Sequence, residues 1–113
     1  TSKNFLGYMY AERGTNLDES LRLIQGALKG EPENGSFLDS LGWVYFKQGR
    51  NTEAVEQLQK AADLLVDPVI LEHLGDAYLK QDNLIKAREN WQKCLEINPA
   101  GSDKVKEKLE KYK

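Results

Sequence analysis

The sequence predicts an all-α fold: an α-solenoid of three helix-turn-helix hairpins plus a C-terminal capping helix. Three observations predict it. A short motif recurs at a near-constant interval, the apolar residues between recurrences follow helical spacing, and the prolines fall at the joints between units. The motif is carried by Phe5-Leu6-Gly7-Tyr8-Met9-Tyr10, Ser40-Leu41-Gly42-Trp43-Val44-Tyr45 and His73-Leu74-Gly75-Asp76-Ala77-Tyr78, each containing Leu-Gly-x-x-Tyr. Gly7 and Gly42 lie 35 residues apart and Gly42 and Gly75 lie 33 apart. Three copies of one unit, about residues 2–35, 36–67 and 68–101, and a capping segment over 102–112 account for the chain as a single domain.

In the first unit Leu6, Gly7 and Tyr10 precede a turn at Gly14-Thr15-Asn16, and Ser20, Ile24 and Ala27 follow it. In the second, Phe37, Leu38, Leu41, Val44 and Tyr45 form one stripe at i, i+3, i+4, i+7 spacing. Lys47-Gln48-Gly49-Arg50-Asn51 makes the turn, and Ala54, Val55, Leu58, Ala61 and Ala62 form the second stripe. The third repeats this with Ile70, Leu71, Leu74, Ala77 and Tyr78, a turn at Gln81-Asp82-Asn83, then Ala87, Trp91, Cys94 and Leu95. Pro32, Pro68 and Pro99 fall between units, where a missing backbone donor ends one helix and permits the next. Glycine inside a helix costs roughly 1 kcal/mol relative to alanine, so Gly7, Gly42 and Gly75 require close helix contact as compensation. Ala54 with Ala61, and Ala87 with Cys94, lie seven apart, so small side chains let the neighbouring helix approach while Leu58 or Trp91 fills the space between. Over 102–112, Val105, Leu109 and Tyr112 share a face, lysines and glutamates take the others, and Ser102 is the expected N-cap.

Composition narrows the function classes. Sixteen Lys+Arg against 18 Asp+Glu give a net charge of −2 and no positive field for a run of phosphates, so nucleic acid is not an expected partner. No apolar run approaches the roughly 18 residues of a membrane span, and no basic-then-apolar leader opens the chain. One cysteine forms no internal disulfide and leaves the compartment open. The chain begins at Thr1 inside what reads as a helix, as expected of a piece of a longer protein.

These residues resemble the tetratricopeptide repeat, whose signature is Trp-x2-Leu-Gly-x2-Tyr, then Ala-x3-Phe, then Pro. The third unit matches at Leu71, Leu74, Gly75, Tyr78, Ala87, Trp91, Cys94 and Pro99. The second matches at Leu38, Leu41, Gly42, Tyr45, Ala54, Leu58 and Ala61, with Val66 in place of the closing proline and one residue fewer. The first matches at Leu6, Gly7, Tyr10, Ser20, Ile24, Ala27 and Pro32, with one extra residue in its turn. Two phrases, Leu-Asp-Ser-Leu-Gly-Trp-Val and Asp-Pro-Val-Ile-Leu-Glu-His-Leu-Gly-Asp-Ala-Tyr, also resemble those of bacterial repeat proteins of the cell envelope. Cytoplasm and bacterial cell envelope are therefore both in view.

The resemblance implies a right-handed superhelix whose first helices line a concave groove that holds an extended or helical peptide. Its groove positions map to Asn4, Tyr8 and Ala11 in the first unit, Asp39, Trp43 and Phe46 in the second, and Glu72, Asp76 and Leu79 in the third. Helical spacing puts these on a face other than the Leu-Gly-Tyr packing face, where the repeat core has no need of Trp43 and Phe46. An aromatic patch flanked by Asp39, Glu72 and Asp76 suits a protein or peptide ligand with apolar and basic groups. The competing reading makes Trp43 a cover for a neighbouring helix and the carboxylates a solvated face. Family members that clamp the carboxylate tails of heat-shock chaperones present lysine, arginine and asparagine in the groove. Here those positions read Asn4, Tyr8, Ser40, Val69 and His73, and only Asn4 fits.

No catalytic role is expected. His73, the one histidine, with Asp76 three residues on supplies two metal ligands where zinc sites use three or four, so a surface hydrogen bond is the expectation. Cys94 stands where the family places alanine and reads as a small buried thiol with no base placed to activate it. No phosphate loop, nucleophile elbow or cofactor motif is present. The run Lys104–Lys113, interleaved with Asp103, Glu107 and Glu110, reads as a solvated face. A second function class is a structural segment of a longer repeat array, stacking or self-associating through the N-terminal end, where Phe5 and Met9 are apolar and uncovered if nothing precedes them.

Overall fold

The computed structural model describes residues 16–113, which form six helices and, among those residues, no strand. They are α1 (Leu17–Gly30), α2 (Gly35–Lys47), α3 (Asn51–Leu64), α4 (Pro68–Lys80), α5 (Leu84–Ile97) and α6 (Asp103–Lys111). α2 with α3 and α4 with α5 are the two complete hairpins, α1 packs on α2, α3 on α4, and α6 on α5. The expectations that fall on the first helix of the first unit, Gly7, Phe5 and Met9 included, lie outside the described residues.

Local chemistry starts the helices. The Asn34 side chain accepts from the Phe37 amide at 3.1 Å, Asp67 from Val69 at 2.8 Å, and Asn83 from Lys86 at 3.2 Å, each occupying an amide that no helical carbonyl reaches. Pro68 takes the first position of α4, where its missing N–H costs nothing. Ser102 stands at the N-cap of α6 as expected, but its hydroxyl donates back to the Asn98 carbonyl instead of accepting from the new helix.

Burial then follows the stripes. One core cluster gathers Ala54, Leu58, Leu71, Leu74, Ala77, Tyr78, Ala87, Trp91, Cys94 and Val105, so it joins α3, both helices of the last hairpin, and α6. The central glycines explain the closeness of the hairpins. A Cβ on Gly75 would lie 2.4 Å from the Trp91 ring and 3.1 Å from the Ala87 carbonyl, and one on Gly42 would lie 2.6 Å from Leu58 Cγ. The second helix crosses where the first has no side chain, and Trp91 or Leu58 fills that point.

Candidate functional site

The first helices of successive units run side by side, so α2 and α4 present one face together. Its centre is a set of three rings. Trp43 stacks on Phe46 at 4.6 Å between ring centres and 6° between planes, and on His73 at 3.8 Å and 16°. Lys47 places its ammonium 5.0 Å from the Trp43 ring. His73 Nδ1 donates to Asp39 Oδ1 at 2.8 Å, the carboxylate being the acceptor of the pair. Asp39 and His73 are both buried, and they lie 34 residues apart, one repeat period.

Two sequence expectations change here. His73 is not a surface group: it is 7% exposed and bonds to Asp39 of the preceding hairpin, because the repeat period brings that carboxylate across from α2. Trp43 is not spare to the core. It is 7% exposed and packs with Ile24, Leu41 and Val44, since the stagger of α4 lays His73 over its ring. The Trp43 indole Nε1 is buried and, among the described residues, has no hydrogen-bond partner, so what Trp43 contributes is ring contact.

On the same stretch of α4, one residue before His73 and three after it, Lys108 of α6 donates to Glu72 Oε2 at 2.8 Å and to Asp76 Oδ1 and Oδ2 at 2.8 and 3.0 Å. Trp91 Nε1 donates to the same Asp76 Oδ1 at 3.1 Å. Burial raises the Asp76 pKa above the usual aspartate value, outweighing the Lys108 bond that lowers it. Burial pulls the Lys108 ammonium down, but its bonds to Asp76 and Glu72 prevail and hold its pKa above the usual lysine value. Lys108 therefore departs from the solvated face expected for the terminal lysines, while Lys104, Lys106, Lys111 and Lys113 are exposed. Sequence reasoning missed this contact although a signal existed: Lys108 lies 36 residues from Glu72 and 32 from Asp76, straddling one period.

Of the residues assigned to the groove from sequence, Asn4 and Tyr8 lie outside the described residues. Asp39 and Trp43 are brought together but buried; Phe46 and Leu79 are half-exposed; Glu72 and Asp76 are half-exposed and bonded to Lys108. Among the described residues no three His, Cys, Asp or Glu side chains converge to hold a metal ion. Cys94 is buried, donates to the Pro68 carbonyl at 3.2 Å, and burial pushes its thiol pKa up. Away from this face, a cleft of about 270 Å³ between α3 and α5 is lined in part by Val66, Leu71, Asn90, Lys93 and Ile97.

Two-helix hairpins stacked so that each packs its core residues against the next define a helical-repeat protein, an α-solenoid. Tetratricopeptide repeat family models match residues 9–65 and 68–100, and the chain belongs to that family. It is 37% identical over 73 residues to a TPR repeat-containing protein of Pseudomonas aeruginosa, covering 65% of this chain and 12% of the relative. It is 32% identical over 72 residues to the beta-barrel assembly-enhancing protease of Escherichia coli strain K12, covering 64% of this chain and 15% of that protein. The chain thus matches only a small part of the length of these relatives. Among solved structures, the first TPR of Spaghetti (RPAP3) bound to the HSP90 peptide SRMEEVD superposes with a TM-score of 0.88 at 19% identity, covering 98% of this chain and 87% of that one. The type III secretion translocator chaperone SycD of Yersinia enterocolitica gives 0.87 at 16%, covering 98% and 81%. These likenesses are of fold. No described helix is long and apolar enough to cross a membrane.

Proposed function

We propose that the chain is a protein-interaction module that binds a peptide or partner protein along the concave face built by α2 and α4, acting as an adaptor or scaffold. The observation that carries this reading is the ring stack of Phe46, Trp43 and His73, which spans two repeats and runs from the buried Trp43 and His73 out to the half-exposed Phe46. Trp43 and the Asp39–His73 pair form its floor; Phe46, Leu79 and Lys47 are the side chains a ligand meets first. Asn4 and Tyr8 hold the equivalent positions of the first unit in the sequence. Glu72 and Asp76 carry two negative charges against one on Lys108, so this flank of α4 keeps a residual preference for a ligand with apolar and basic groups. An acidic tail of the kind bound by Spaghetti is not the expected ligand, since Ser40, Val69 and the buried His73 stand where basic side chains would be needed.

The Escherichia coli relative is a protease by name, but this chain matches only 15% of it. Cys94, the residue with nucleophilic chemistry, is buried and held as a thiol. The proposed role is binding without catalysis.

The test is selection of a displayed random-peptide library on the immobilised chain, with re-screening on a Phe46→Ala, Leu79→Ala variant that melts within a few degrees of wild type. Selected peptides should lose about tenfold or more in affinity on the variant, the scale of a lost apolar contact at an interface centre. Equal binding to both proteins would remove the α2–α4 face from consideration. Recovery of no peptide binders would favour the structural-segment reading instead.

A further inference from the structure

We propose that the outer edge of the α4–α5 hairpin is a receptor for a lysine-bearing amphipathic helix, filled in this structure by the chain's own α6, and that its occupant in trans is the α6 of a second copy of this chain.

Three kinds of contact hold α6, and each reads a different feature of it. Glu72 and Asp76 give the Lys108 ammonium three oxygens within 3.0 Å, so a single cation is fixed in position and direction. Arg88 Nη1 on α5 donates to the Leu109 carbonyl at 2.8 Å and the Tyr112 carbonyl at 2.9 Å, satisfying backbone oxygens that the end of the helix leaves without amide partners and placing a cation at its negative pole. Val105 is buried, and Leu109 and Tyr112 pack against the cluster that holds Trp91 and Cys94, Tyr112 meeting the Trp91 ring at 5.9 Å. Together these select one pattern: apolar, lysine three residues on, apolar next, aromatic three further.

The attachment of α6 is local and replaceable. The helix has nine residues, short of the roughly 12–15 at which a helix holds itself in water, so its shape depends on the hairpin edge. The Asn98–Ser102 link carries Pro99, Ala100 and Gly101, all three exposed, and buries only the small Ser102 side chain. What the edge recognises is side chains and terminal carbonyls, and a second copy supplies the same set in the same spacing. Exchange between copies thus keeps the contacts made by Val105, Lys108, Leu109 and Tyr112, and opens the Asn98–Ser102 turn with its hydroxyl–carbonyl bond. This inference goes beyond the reading of the α2–α4 face and does not depend on it.

The experiment uses the full chain and a labelled synthetic peptide of residues 102–113. In a Lys108→Glu chain, Glu72 and Asp76 repel the attached α6 and vacate the edge. That variant, with helical content checked by circular dichroism, should bind the peptide about tenfold or more tighter than wild type, a difference of the size that removing a charge-paired competitor gives. Peptide carrying Lys108→Glu should bind at least about tenfold more weakly than the unmodified peptide, and a Glu72→Lys chain should prefer the altered peptide. Phe46→Ala with Leu79→Ala should leave uptake unchanged, which separates this result from a failure of the α2–α4 reading. Equal uptake by wild type and the Lys108→Glu chain, or uptake indifferent to the charge at peptide position 108, overturns the proposal.

Discussion

Gly75 and Gly42 occupy equivalent places, yet substitution at the two should cost different amounts, because what faces them differs in stiffness. A methyl group on Gly75 meets Trp91, a fully buried rigid ring; on Gly42 it meets Cγ of Leu58, equally buried but a smaller side chain with two rotatable bonds of its own. Overpacking costs about 1–3 kcal/mol, while alanine returns roughly 1 kcal/mol of helix propensity. Gly75→Ala should therefore destabilise by about 1–2 kcal/mol and Gly42→Ala by about half that or less. Gly26, inside α1 with open space around its Cβ position, is the control: Gly26→Ala should stabilise by about 0.5–1 kcal/mol. Urea midpoints of the three variants check the order. A Gly75→Ala protein as stable as wild type would mean that Trp91 can move and that the close packing read from the glycine period is not needed.

For single helices, the depth of legibility tracks the range of the interaction. Helix stripes, turns and proline joints depend on residues within a few positions of one another, and the pattern from Phe37 to Leu95 shows them directly. The hairpin contacts were legible one step further out, since small residues such as Gly42 and Gly75 have no other reason to sit in a helix. The fate of α6 was not. Its apolar stripe predicted the helix, but which lysine turns inward depends on the stagger of α6 against α4, and Lys104, Lys106 and Lys108 look alike in sequence. The Lys108 contact has a signature in pH. Because the folded pKa of Lys108 lies above 10.5, the stability it provides is complete below pH 10.5 and is lost as pH rises through the folded value. Lys108→Gln should lower stability by about 1–2 kcal/mol at neutral pH, more than a solvated pair gives, because two half-buried carboxylates lose their cation. The gap between wild type and variant in urea midpoint should hold up to about pH 10.5 and narrow over the range above it. A constant gap over that range would mean that Lys108 acts by packing its stem and not by its charge.

Across the whole molecule, stability in a repeat array is a sum of what each unit holds and what neighbouring units hold together, so coupling resides in contacts that cross between hairpins. Most crossings here are apolar, α3 against α4, as in any member of the family. The Asp39–His73 hydrogen bond is different: it ties first helix to first helix, is buried, and lies beneath the Trp43 ring. The groove reading from sequence treated Asp39 as an outward carboxylate for a ligand, since position within one helix does not reveal that the next repeat brings a histidine over it. In the folded chain Asp39 instead links α2 to α4 through His73, beneath the proposed binding face. Asp39→Ala should cost about 2 kcal/mol, the usual size for a buried hydrogen bond to a charged group, and Asp39→Asn, which keeps an acceptor, about half as much. The more telling quantity is the denaturant slope. If this bond couples the hairpins, Asp39→Ala should lower the slope and broaden the transition, because the units begin to unfold separately. A loss of stability with an unchanged slope would mean that the α3–α4 apolar contact alone makes the array unfold as one body, and that the buried pair lies beneath the face without holding the repeats together.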